Sequence, residues 1–237
     1  MTPTVPTATE PAATGRPPTM QLVVCGTDTD VGKTVVSAWL VQGLGASYWK
    51  PVQSGLDGGG DSARVQELLK LSPERLLHES YRLSQPVSPH WAAEQDGLTI
   101  DAEQLALPPC PGSLVVETAG GLLVPLGRDW LQIEQLQRWN LPVLLVGRSG
   151  LGTLNHCLLS IEALRNRGIQ LLGLVLNGPP HPDNPRTLTA LSGVPVLAQL
   201  PPLSPPSAEA LAHQWQLQNM EQRLQASHLT WSATSGG

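Results

Sequence analysis

Cys25-Gly26-Thr27-Asp28-Thr29-Asp30-Val31-Gly32-Lys33-Thr34 is the stretch whose reading decides the fold. It follows Leu22-Val23-Val24, a short apolar run that reads as a buried strand. It leads into Val35, Val36, Trp39, Leu40, Gly43 and Leu44, spaced as the apolar positions of a helix. A strand, a glycine-bounded loop ending in Gly-Lys-Thr and a helix together form a cradle for a nucleoside triphosphate. Backbone N–H groups of the loop and of the helix start face the phosphates, and Lys33 adds a mobile positive charge. The Thr34 hydroxyl is placed to ligate Mg²⁺. Gly26 and Gly32 are separated by five residues, one more than the usual pattern allows. An isolated turn containing Gly-Lys-Thr would lack the flanking strand and helix that are present here.

The rest of the chain agrees with an α/β protein. At 237 residues there is room for one such domain with a sizeable core. With no Phe, that core is expected to consist of Leu, Val and Ala. Lys and Arg number 14 against 19 Asp and Glu, a net charge of −5, and no basic run exists. That argues against a nucleic-acid face and against an anionic-membrane patch. Cys25, Cys110 and Cys157 are scattered and have no C-x-x-C spacing, which suits buried thiols in a reduced, cytoplasmic protein.

Residues 1–19 are rich in Thr, Pro and Ala, without periodicity, and are expected to form a disordered tail lacking the apolar region of a signal peptide. Met20, directly before the first strand, is a candidate initiator. From there the expected strands are 46–49, 113–121, 141–147, 171–176 and 194–200, after the first at 22–24. Helices are expected at 63–71, 102–107, 129–139, 150–167 and 207–227, with a flexible tail over 228–237. Apolar runs without alternation imply strands covered on both faces, hence a doubly wound, mostly parallel sheet with ligand groups at its carboxyl edge.

Polar residues end four of these strands: 26–34, 50–54, 117–121 and Asn177. Their convergence on one edge would make a single site. Asp61 and Glu117 are the carboxylates best placed to complete an octahedral Mg²⁺ shell with Thr34, phosphate oxygens and water. Asp61 also suits a helix N-cap. Lys50, after Trp49 at a strand end, would supply a second cation for a transferring phosphoryl group or an anionic substrate.

Taken together, Gly26 to Thr34, Lys50-Pro51-Val52-Gln53-Ser54-Gly55, Pro86-Val87-Ser88-Pro89-His90, Glu117-Thr118-Ala119-Gly120-Gly121 and Leu151-Gly152-Thr153-Leu154-Asn155-His156 resemble dethiobiotin synthetase, in order, over residues 20–203. That family joins CO₂ to 7,8-diaminononanoate with ATP and Mg²⁺, closing the ureido ring of dethiobiotin, and is a homodimer. The resemblance implies catalytic Lys50 and Lys33. It implies nucleotide contacts from Asp30, Val31, Gly32, Lys33, Thr34, Val35, Asp61, Glu117, Thr118, Ala119 and Gly120. Adenine would meet Asn177, Gly178, Pro201, Pro202 and Leu203, and Mg²⁺ would be held by Thr34, Asp61 and Glu117. Substrate would meet Thr29, Asp30 and Ser54. Its distal carboxylate would lie on Gly150, Leu151, Gly152, Thr153 and Asn155 of a second subunit. Asp30 stands where many relatives have Glu, and Thr118 where others often have Gly.

Two other classes share the loop. A related P-loop amidoligase would carry a glutaminase module, for which the chain has no room. A ParA- or MinD-like switch ATPase would have an additional lysine early in the loop and a basic amphipathic C-terminal helix. Residues 27–31 hold no lysine, and 207–227 hold one basic residue, Arg223.

Overall fold

Alternate residues of the first strand point into two different cores, as expected of a strand covered on both faces. The computed structural model describes residues 19–234. The elements, in order, are β1 (Gln21–Gly26), α1 (Lys33–Gly43), β2 (Ser47–Trp49), β3 (Val52–Ser54), α2 (Gly60–Leu69), β4 (Leu76–Leu77), β5 (Tyr81–Leu83) and α3 (Pro89–Gln95). There follow β6 (Leu114–Gly121), α4 (Gln132–Trp139), β7 (Val143–Arg148), α5 (Thr153–Arg165), β8 (Leu171–Asn177), α6 (Asn184–Ser192), β9 (Val196–Leu200), α7 (Ala208–Leu217) and α8 (Met220–Thr234). Leu22 and Val24 pack with Trp39 and Leu40 of α1, Leu211 of α7 and Leu224 of α8. Val23 and Cys25 pack on the other face with Ile133 and Leu136 of α4 and Ile161 of α5. Burying each such side chain contributes about 1.5–3 kcal/mol, so buried area is the main force holding both helical layers to the sheet.

The main sheet has seven strands in the order β4-β2-β6-β1-β7-β8-β9, and its ladders are parallel. From β1 the chain crosses through α1 to β2, and β6 later fills the gap between them. After α4 it moves to β7 on the opposite side of β1. The winding therefore reverses beside β1, which opens a crevice at the carboxyl ends of β1, β6 and β7.

Several expectations change. Tryptophans join Leu, Val and Ala in the cores: Trp39 and Trp215 meet edge to face at 5.7 Å, and Trp49 and Trp139 lie 5.8 Å apart. The Trp39 indole N–H donates to Leu211 O at 3.0 Å, which fixes α7 against α1. Cys25 and Cys157 are buried, whereas Cys110 is partly exposed. Short strands β3 and β5 form a separate parallel pair, and β4 extends the main sheet edge; none of the three was anticipated. Pro89 and Pro185 lie at the starts of α3 and α6, where a missing N–H costs nothing, so segments read as loop or left unassigned are helical. The expected helix over 207–227 is two helices, broken where Asn219 takes a left-handed φ of 50°. The second of them runs on to Thr234, into the segment expected to be a tail. The expected N-terminal tail falls outside the described residues except for Thr19, which is exposed. Among the described residues, no helix is long and apolar enough to cross a membrane.

Candidate functional site

The phosphate loop joins β1 to α1, as the sequence motif requires. Gly32 caps α1 at φ +93°, and Asp30 is also left-handed at φ 55°. A Cβ on Gly32 would lie 2.1 Å from the Asn177 Nδ2 atom, so only glycine fits. Asn177, at the end of β8, donates from Nδ2 to Val31 O at 3.1 Å. Lys33 is buried and donates from Nζ to Asp28 O at 2.9 Å. Burial, and then the neighbouring Lys50 charge, push the Lys33 ammonium pKa below its ordinary value. Thr29 and Asp30 sit on the exposed outer turn. There Arg148, from the end of β7, donates to Thr29 O at 3.1 Å and pairs with the Asp28 carboxylate at 3.4 Å.

Behind the loop, four elements bring Thr34, Lys50, Asp61 and Glu117 into contact. The Thr34 hydroxyl lies 2.9 Å from Asp61 Oδ1 and 3.0 Å from Glu117 Oε1. Lys50 Nζ lies 2.8 Å from Asp61 Oδ2, 3.0 Å from Glu117 Oε1 and 3.1 Å from Thr118 O. Glu117 has no exposed surface, and Lys50 is 3% exposed. Burial alone would lower the Lys50 ammonium pKa, but the facing Glu117 and Asp61 charges outweigh it and hold it above normal. Asp61 is the mirror case: burial opposes its charge, and Lys50 more than offsets that, holding its pKa low. Tyr48 OH donates to Glu117 Oε2 at 2.9 Å. Burial, and then the Glu117 charge, push the phenol pKa well up.

The donor set is all oxygen: one hydroxyl and two carboxylates. No group of three or more His, Cys, Asp or Glu fit for a metal occurs among the described residues. Two carboxylates with a hydroxyl suit Mg²⁺, a hard cation that completes its shell with water and substrate phosphates. Asp61 is not an N-cap. It lies in the first turn of α2, capped by Gly59, because α2 starts earlier than expected.

Sequence reasoning missed the supports. Gln53 Oε1 accepts the Asp61 N–H at 3.0 Å, while its amide donates to Ser54 O and Gly55 O. Ser54, beside it, has a buried hydroxyl oxygen without a hydrogen-bond partner. Gln132, the first residue of α4, accepts from Ala119 N at 3.1 Å and donates to Ala119 O and Gly121 O at 2.9 and 2.8 Å. It braces the end of β6 at Thr118-Ala119-Gly120, where a Cβ on Gly120 would lie 3.4 Å from Thr29 Oγ1. Buried amides at the ends of short elements read as surface residues in a sequence.

Other expected residues stand apart. Gly150, Leu151, Gly152, Thr153 and Asn155 form the start of α5, with Gly152 as its cap at φ 91°. Leu151 is fully exposed, and Thr153 Oγ1 turns back to Cys157 Sγ at 3.4 Å. No described hydrogen bond or ion pair joins these residues to the Lys50 cluster. Gly178 N donates to Leu200 O at 2.9 Å, which brings Asn177-Gly178 beside Pro201, Pro202 and Leu203. A cavity of about 660 Å³ opens next to Thr34 and Val35, but its other walls include Arg64, Lys70, Ser207 and Glu209. Asn177 and 201–203 are not part of its lining.

A family model described as an AAA domain matches residues 20–210. The chain is 54% identical over 187 residues to the ATP-dependent dethiobiotin synthetase BioD of Rhodopseudomonas palustris (strain BisB18), covering 79% of this chain and 90% of that protein. It is 52% identical over 192 residues to the protein of the same name from Afipia carboxidovorans, covering 81% and 91%. Among solved structures, pNOB8 ParA bound to nonspecific DNA superposes with a TM-score of 0.56 at 11% identity, over 90% of this chain and 99% of that one. At that identity the likeness establishes the fold, that of P-loop NTPases.

Proposed function

The chain belongs to the ATP-dependent dethiobiotin synthetase family, ligases of biotin biosynthesis, and from that premise we propose that it carboxylates 7,8-diaminononanoate with CO₂ and closes the ureido ring at the expense of ATP. The observation that carries the proposal is the meeting of Lys50 with Thr34, Asp61 and Glu117 directly behind the phosphate loop.

We assign the steps to the residues present as follows. One substrate amine adds to CO₂ and loses a proton, giving a carbamate. Lys50 supplies the cation that lets this anion lie beside phosphate oxygens. A carbamate oxygen then attacks the γ-phosphorus and the bond to ADP breaks, leaving a carbamic-phosphoric anhydride. The second amine attacks the carbonyl carbon, loses its proton and expels phosphate. Loop N–H groups and Lys33 hold the triphosphate. Mg²⁺, held by Thr34, Asp61 and Glu117, would neutralise charge on the phosphate oxygens. Positioning and charge neutralisation carry most such transfers, so no separate nucleophile is required.

Ser54, whose buried hydroxyl is unpartnered, and Thr29 with Asp30 on the outer turn are proposed substrate contacts. Asn177, Gly178, Pro201, Pro202 and Leu203 are proposed adenine contacts. The cavity beside Thr34 and Val35 adds Ser207 and Glu209 as candidates for the nucleoside. The start of α5, which shares no described hydrogen bond or ion pair with the cluster, suits a carboxylate belonging to the substrate of a second subunit. A cytoplasmic homodimer with composite sites is therefore part of the proposal. A switch ATPase fits less well. Arg223, the one Lys or Arg in 207–234, donates to Leu197 O at 2.7 Å and is thus engaged with the sheet.

The purified protein is expected to release ADP from ATP appreciably only when diaminononanoate, bicarbonate and Mg²⁺ are all present. Hydrolysis of equal rate without the diamine, or stimulated by DNA or lipid vesicles, would contradict the reading.

A further inference from the structure

The two carboxylate oxygens of Glu117 face different partners. Oε1 accepts from Thr34 and Lys50, each at 3.0 Å. Oε2 accepts from the Tyr48 hydroxyl at 2.9 Å. Tyr48 is fully buried on β2, opposite Val115 of β6. Glu117 lies two residues further along, on the same face, within diagonal reach of a long side chain. The final torsion of a glutamate side chain is soft, so a buried carboxylate tied at one oxygen alone would pivot.

We propose that Tyr48 is a positioning residue for the cation site, holding Glu117 Oε2 so that Oε1 is the oxygen presented to Thr34, Lys50 and a bound divalent cation. The proposal rests on reading Thr34, Asp61 and Glu117 as that site. Tyr48 reads in the sequence as one more core residue, and its ring does belong to the core packed on α1. The hydroxyl is a separate matter: it is placed where an apolar core has no use for a polar atom, against a buried carboxylate. Partners that orient a metal ligand typically cost 10- to 100-fold in metal affinity when removed.

Tyr48→Phe keeps the ring and removes that one oxygen. The probe is Mn²⁺, titrated into protein saturated with a non-hydrolysable ATP analogue and followed by the electron paramagnetic resonance signal of free Mn²⁺. The dissociation constant for Mn²⁺ is expected to rise about tenfold, while affinity for the analogue without metal is unchanged. A lower melting temperature with unchanged Mn²⁺ affinity would make Tyr48 a packing residue only and overturn the proposal. Wild-type protein that binds no Mn²⁺ would overturn the cation site itself, and the proposal with it. If the single variant folds poorly, the same change is made in Glu117→Ala, where no buried carboxylate is left unsatisfied. There it is expected to leave Mn²⁺ affinity unaltered. An equal loss in both backgrounds would show that Tyr48 does not act through Glu117.

Discussion

Lys50→Ala is expected to slow ATP turnover in the presence of the diamine and bicarbonate by about 10²–10³-fold, the usual cost of one preorganised charge contact. The reason lies in its surroundings. Lys50 is buried, ion-paired with two carboxylates and bonded to the Thr118 carbonyl. Such a charge is held in place before substrate arrives. Nucleotide affinity is expected to change little, because the phosphates are proposed to rest on the loop and Lys33. The variant also leaves Glu117 without its cation and Asp61 with only Arg64, at 4.0 Å, so a melting curve must accompany the assay. Near-normal turnover from folded protein would show that the proposed role of Lys50 is wrong.

Lys33→Ala should act at the other stage, weakening ATP binding by about 2–5 kcal/mol, roughly 30- to 5,000-fold in the dissociation constant. Lys33 is buried at the start of α1, with its ammonium bridging back to Asp28 O. The loop N–H groups remain in the variant, but dipoles alone do not balance a triphosphate. Equilibrium binding of ATP, measured without diamine, separates this loss from any effect on chemistry. Unchanged affinity would remove Lys33 from the phosphate site.

How much of this was legible in the sequence depends on how local the requirement is. Gly32 must be glycine because its own φ is left-handed. Lys33-Thr34 must open a helix. Both demands are written into neighbouring residues, so the loop and the parallel sheet behind it can be read directly. Glu117 is also visible, as a carboxylate where an apolar run stops, and Asp61 as the carboxylate that follows a glycine loop at a helix start. Tyr48, Gln53 and Gln132 are not. Each is a residue whose importance comes from a partner on another element: Glu117 for Tyr48, the Asp61 N–H for Gln53, the end of β6 for Gln132. Among the elements, those missed were either too short to show a period, as in β3, β4 and β5, or begun by proline, as in α3 and α6. The cavity wall at Ser207 and Glu209 depends on α7 packing against α1 through Trp39 and Trp215, a long-range contact with no local signature.

The central claim is that this chain makes dethiobiotin, and the product tests it most directly. Purified protein would be incubated with ATP, Mg²⁺, 7,8-diaminononanoate and isotopically labelled bicarbonate, and the products resolved by mass spectrometry. The account predicts dethiobiotin carrying one labelled carbon, formed in step with ADP. ADP formed without labelled dethiobiotin, from protein that is folded and binds ATP, would contradict it.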